Sequence, residues 1–179
     1  MSSCETFPSG GAVAVETKLV DTKLVMNRRS LHYESLGEFL VDAQCLAQGT
    51  AQTLGNWTLA QIFDHVSRSL RVAVEGTDAW FPWAARCVLR FARKKIMSRP
   101  MKPGFHVPKN LEEVLRPGEG LTTDESLQNL REAVCRFQTA PQLARHPAFG
   151  KLTRDEWQQL TLRHAELHMS FVIPDEACS

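Results

Sequence analysis

The chain has 179 residues, 43% of them hydrophobic and 23% charged, with a net charge of +1. Those values fit one ordinary globular domain with a real core. They exclude a disordered or collagenous chain, and a global charge near zero names no polyanionic partner. Five cysteines, an odd number with no C-x-x-C spacing, argue against a disulfide framework or a zinc ribbon. No apolar run approaches the roughly 20 residues of a membrane span, and no basic-then-apolar leader opens the chain. The sequence is therefore read as cytoplasmic, with no membrane partner.

Residues 1–30 read as a flexible or extended N-terminal segment, rich in Ser, Gly and Ala at its start. Thr17-Lys-Leu-Val20 recurs as Thr22-Lys-Leu-Val25, which suggests a brief extended stretch. Four capping boxes then punctuate the chain, each a Ser or Thr followed three residues later by Glu or Gln. Ser35/Glu38 precedes Leu36, Phe39, Leu40, Ala43 and Leu46. Thr58/Gln61 precedes Ile62, Phe63, Val66, Leu70 and Ala73. Thr122/Glu125 precedes Leu127, Leu130, Val134 and Phe137, and Thr153/Glu156 precedes Trp157, Leu160 and Thr161. Apolar residues recur at helical spacing behind every box, so each predicts an amphipathic helix.

Between the second and third helices lies an insertion over residues 77–121. It carries an extra helix over about 84–97 and is then broken by Pro100, Pro103, Gly104, Pro108, Pro117, Gly118 and Gly120. A turn-rich stretch from Pro141 to Gly150 precedes the last helix. The expected architecture is an all-α four-helix bundle with a long crossover, residues 31–174 forming one domain and 175–179 a tail. No strand pairing is expected to compete with it.

The chemistry concentrates in His164-Ala-Glu-Leu-His168. At about 100° per residue, Trp157, Leu160, Thr161, Leu167, Phe171 and Val172 fall on one stripe, with both histidines at its centre. An apolar face rarely spends central positions on imidazoles, whose donor and acceptor both need partners away from water. The i, i+4 spacing stacks the rings one turn apart, where they can share a metal ion. His65 lies near the edge of the second helix's apolar stripe, within reach of a site between helices. A lone helical histidine is more often structural, but three imidazoles from two helices would form a His₃ set with one position open.

Asn56-Trp57-Thr58-Leu59-Ala60-Gln61-Ile62-Phe63-Asp64-His65-Val66 resembles the second-helix motif of the DinB/YfiT-like superfamily. His146-Pro147-Ala148-Phe149-Gly150-Lys151-Leu152, Trp157, His164-x₃-His168 and Phe171 resemble its final segment. The resemblance runs from about Arg28 to Pro174 and is nearest a bacterial branch of unknown function. It implies a DinB-type four-helix bundle holding a divalent metal, zinc or nickel, on His65, His164 and His168. Branch members often carry adjacent histidines in the last motif, and here Leu167 takes one of those places. Relatives include metal-dependent thiol transferases and an isomerase of thiol conjugates, which implies a small thiol substrate, and such bundles often form homodimers; an anionic substrate is the alternative that the basic segment 79–111 raises.

Around the ligands, Gln61 lies one turn before His65 and is placed to orient it, in competition with its capping role. Thr161 precedes His164 by one turn on the same face. Trp57 and His146 are candidate pocket residues, His146 with a loop-structuring role as its competitor. Glu166 lies about 200° from His164 and is expected in solvent, as is Asp64.

From Ala79 to Leu111 there is no acidic residue, whereas eight Lys and Arg interleave with Trp80, Phe81, Trp83 and Phe91. Nucleic acid, an anionic ligand and a membrane surface can all be bound by such a segment. A solvated basic face with its aromatics packed beneath is the expectation. Two functions remain in competition, a metal-dependent transferase or hydrolase and a non-catalytic helical binding or stress-related module with structural histidines.

Overall fold

The computed structural model describes residues 28–104 and 106–175. The described residues are mostly helical, with six helices and a small two-stranded sheet. In chain order the elements are α1 (Leu36–Gln48), β1 (Ala51–Thr53), α2 (Leu59–Glu75), α3 (Trp83–Met97), α4 (Lys109–Leu115), α5 (Thr123–Thr139), α6 (Arg154–Met169) and β2 (Val172–Pro174).

All four expected helix starts occur where the capping residues place them. Thr58, Thr122 and Thr153 each accept a hydrogen bond from the backbone N–H three residues on, and Gln61, Glu125 and Glu156 reach back to the N-cap N–H. Each cap contributes about 1 kcal/mol by satisfying donors that no helical carbonyl can reach. Ser35 caps α1 through Glu38 N, but the Glu38 carboxylate accepts from Glu34 N instead, so this box is only half closed.

The four capped helices close a ring of contacts, α1 against α5 and α6 and α2 against the same two. The most extensive pairing is α2 with α5. Phe39 of α1, Phe63 and Leu70 of α2, and Leu130 and Phe137 of α5 are fully buried in the core. The Arg154 guanidinium at the start of α6 donates to the carbonyls of Phe137 (2.7 Å) and Ala140 at the end of α5. A basic group there satisfies orphan carbonyls and opposes the helix dipole.

Three expectations are corrected. The last apolar stripe does not run on as helix through Phe171 and Val172. Helix α6 stops at Met169, and Val172–Pro174 pair antiparallel with Ala51–Thr53, so a sheet exists where none was expected. Val172 and Ile173 are β-branched and Pro174 cannot extend a helix, so an edge pairing suits them better. This pairing ties the chain before α2 to the chain after α6. Second, the insertion holds a short helix, α4, beyond the extra helix α3 that was expected. Third, Cys45 is disulfide-bonded, while Cys87 and Cys135 are free thiols. That bond removes the step from cysteine usage to a reducing compartment. The repeat at 17–25 lies outside the described residues. Among the described residues no helix is long and apolar enough to cross a membrane.

Candidate metal centre

Helices α2 and α6 bring His65, His164 and His168 together. One ring nitrogen of each lies within 4.8 Å of the other two, and among the described residues no carboxylate or thiol joins them. His65 Nε2 is 3.2 Å from His164 Nε2, which is 3.0 Å from His168 Nε2. His65 Nδ1 is 2.7 Å from the Leu115 carbonyl oxygen at the end of α4. A carbonyl only accepts, so Nδ1 carries the proton and Nε2 presents a bare lone pair to the cluster. A backbone partner on the far nitrogen is the usual device for fixing a metal-binding imidazole.

The consequence can be counted in protons. With His65 Nε2 bare, an N–H on His164 Nε2 requires His168 Nε2 to be bare as well. Moving that proton to His168 leaves two lone pairs facing each other at 3.2 Å. Either way one proton serves three convergent nitrogens, a poorly satisfied arrangement for half-buried rings. A cation satisfies all three lone pairs at once, so the donor set fits a divalent metal, and the cluster could hold one.

Electrostatics points the same way. Burial pushes the His164 imidazole well below its ordinary range, aided by its His168, His65 and His146 neighbours. Burial likewise lowers His168 to about 3, with smaller contributions from His65 and the Arg28 guanidinium. His65 is lowered by burial too, against the hydrogen bond to Leu115. All three rings are neutral at pH 7, the form that binds metal.

The surroundings differ in part from expectation. Trp57 stacks on His168, with ring centroids 5.5 Å apart and planes 21° apart, and lies 4.7 Å from the His65 ring. It walls the cluster on that side. Thr161 is buried one turn before His164. Gln61 does not orient His65, because its side-chain oxygen accepts from Thr58 N at 3.0 Å and capping takes it. Leu115 O orients His65 instead. No sequence motif marks that carbonyl, which depends on where the insertion folds. His146 Nδ1 accepts from Ala148 N (3.0 Å) and Phe149 N (3.2 Å). Its backbone pairs with that of Gly150, whose φ of +75° closes the turn. His146 therefore structures the loop, and its ring packs against Phe149 and Trp157.

Both carboxylates expected in solvent are buried. Asp64 accepts from Arg68 Nε at 2.7 Å and Gly118 N at 2.8 Å, which anchors the end of the insertion on α2. Glu166 Oε1 accepts from Arg163 Nη2 at 2.8 Å and Tyr33 N at 2.7 Å. The segment Arg28–Tyr33 covers that face of α6. Arg29 N donates to Ser170 O at 3.0 Å, and Arg28 Nε donates to Ser170 Oγ at 2.9 Å. With Arg163 and Glu166 shielded, His164, Leu167 and His168 near the helix end and Phe171 just beyond it form a partly open strip. The histidine pair thus sits at an accessible seam rather than at the centre of a dry core face.

Fold and site together define a helical protein with a three-histidine cluster between its second and last long helices. A family model described as "Protein of unknown function (DUF1569)" matches residues 25–175, and the chain belongs to that family. No curated protein and no solved structure matches the chain.

Proposed function

We propose that this protein is a DinB-type four-helix bundle that binds a divalent metal, zinc or nickel, through His65, His164 and His168. The reading extends to metal-dependent transfer or hydrolysis on a small thiol or anionic substrate. The observation that carries it is the convergence of three neutral imidazole nitrogens, one of them locked in its binding tautomer by Leu115 O. Three uncharged ligands leave a divalent ion its full charge, which lowers the pKa of a bound water or thiol. The chain's own residues then have definite tasks. Leu115 O holds the proton of His65 on Nδ1, Trp57 excludes water from one side of His168, and the half-buried seam of Leu167 and Phe171 leaves a way in. Asp64 and Glu166 are both engaged by cations and backbone N–H groups, so neither serves as a general base.

The test is metal analysis of protein purified without a histidine tag, followed by equilibrium dialysis against zinc and nickel. Uptake of about one ion per chain, lost in His164→Ala, is expected. No uptake from either metal overturns the reading in favour of structural histidines. Holoprotein is then assayed for thiol transfer and for hydrolysis.

A further inference from the structure

Helix α3 presents an unusual outward face. Trp83 is 78% exposed, Val88 68% and Phe91 93%, beside exposed Cys87. The expectation that this segment's aromatics pack beneath a solvated basic face holds for Phe81 but fails for Trp83 and Phe91. The inner side is fixed. Met97 is buried, Leu89 and Ile96 pack on the core, and Arg93 pairs with Glu156 of α6 at 3.3 Å. The helix cannot roll to hide its aromatics without breaking these contacts.

At 100° per residue, Trp83, Cys87, Phe91 and Val88 fall within about 140° of arc, and Trp83 and Phe91 lie about 12 Å apart along the axis. Arg90, Lys94, Lys95, Arg99 and Lys102 supply the charge, and among the described residues no ion pair engages them. Lys94 and Lys95 also oppose the dipole at the end of α3, but that role explains neither Arg90 and Arg99 nor the exposed ring of Phe91.

We propose that α3 is a surface-binding helix that docks the protein on an anionic lipid bilayer. It would lie in the interface, Trp83, Val88 and Phe91 entering the acyl boundary and the five cations meeting headgroup phosphates. Charge complementarity and the apolar ridge together select this occupant. A nucleic acid would complement the cations but offers nothing to Val88 and Cys87. A second copy of the chain, docked by this face about a two-fold axis, would set Arg90, Lys94 and Lys95 against themselves. Among the described residues no helix is long and apolar enough to cross a membrane, and the proposed contact lies in the interface.

The experiment is co-sedimentation of the full chain with phosphatidylcholine vesicles, with and without phosphatidylglycerol. Binding is expected only to the anionic vesicles. It should fall about ten-fold in Phe91→Ser, the loss expected for one buried aromatic anchor. It should weaken further in Lys94→Glu/Lys95→Glu and in roughly 1 M salt, where charges are screened within about 3 Å. Both variants alter exposed side chains, and unchanged melting temperatures verify the fold. The proposal is overturned by equal binding to neutral and anionic vesicles, by no binding, or by Phe91→Ser binding as the parent does. It is overturned as well if the same substitutions abolish self-association or single-stranded DNA binding in a chain that ignores vesicles.

Discussion

The two faces of α6 handle buried polarity in opposite ways. On one, Arg163 and Glu166 meet three residues apart, and the strap at Tyr33 supplies both a carbonyl for the guanidinium and an N–H for the carboxylate. Donors face acceptors, and the charges cancel within the protein. On the other, His164 and His168 face each other and His65, with one proton among three convergent nitrogens. The first face neutralises its charges within the protein, with Arg163 Nε and Glu166 Oε2 left without hydrogen-bond partners. The second could hold a cation. The same helix thus separates a structural polar pair from a cluster that could hold a metal ion, and the distinction lies in partners rather than in burial.

The largest effect is expected on the ion-paired face. Glu166→Ala leaves Arg163 buried and uncompensated and should cost about 3–5 kcal/mol in chemical denaturation. The double variant Arg163→Met/Glu166→Leu should recover most of that loss, and no recovery would mean that the pair does more than neutralise itself. On the open face the sign reverses. Zinc or nickel at about 100 times its Kd should stabilise the protein by about 2.7 kcal/mol through linkage, and His164→Ala should abolish that gain. An equal gain in Glu166→Ala, read by thermal shift, would separate the two faces cleanly.

Acid sharpens the comparison through His146, whose imidazole burial lowers to about 4. Its folded-state pKa lies below the unfolded value of about 6.5, so the unfolded chain binds more protons between those limits. Apo-protein stability should therefore fall as pH drops from about 6.5 toward 4, by about 1–3 kcal/mol. His146→Gln should flatten part of that slope, because protonation of Nδ1 otherwise breaks the hydrogen bonds from Ala148 and Phe149. A slope unchanged in the variant would assign the dependence to other groups. The smallest effect is local. Thr153→Ala should cost about 1 kcal/mol by uncapping α6, with metal uptake unchanged because the cap lies more than two turns from His164.

Helix starts were readable in the sequence because a cap is a contact across three residues and needs no tertiary partner. Thr58, Thr122 and Thr153 each open a helix with the expected reciprocal bonds. The i, i+4 pairing of His164 with His168 was readable for the same reason. The surroundings were not. Angular position alone sent Asp64 and Glu166 to solvent, yet Gly118 from the insertion and Tyr33 from the N-terminal strap cover them. Such cover arrives from 54 and 133 residues away, where periodicity says nothing. The assignment of Phe171 and Val172 to the last helix failed likewise, because β1 competes for Val172.

By itself the sequence determined the four capped helices, the spacing of the histidine pair and the basic, acid-free stretch Ala79–Leu111, all properties of neighbours along the chain. The tertiary structure decided that His65 joins the pair, that Leu115 O sets its tautomer, and that Trp57 walls the cluster. It also decided that Trp83 and Phe91 face outward. Hydrogen bonds and burial depend on which distant backbone reaches a side chain first, and only the folded chain fixes that.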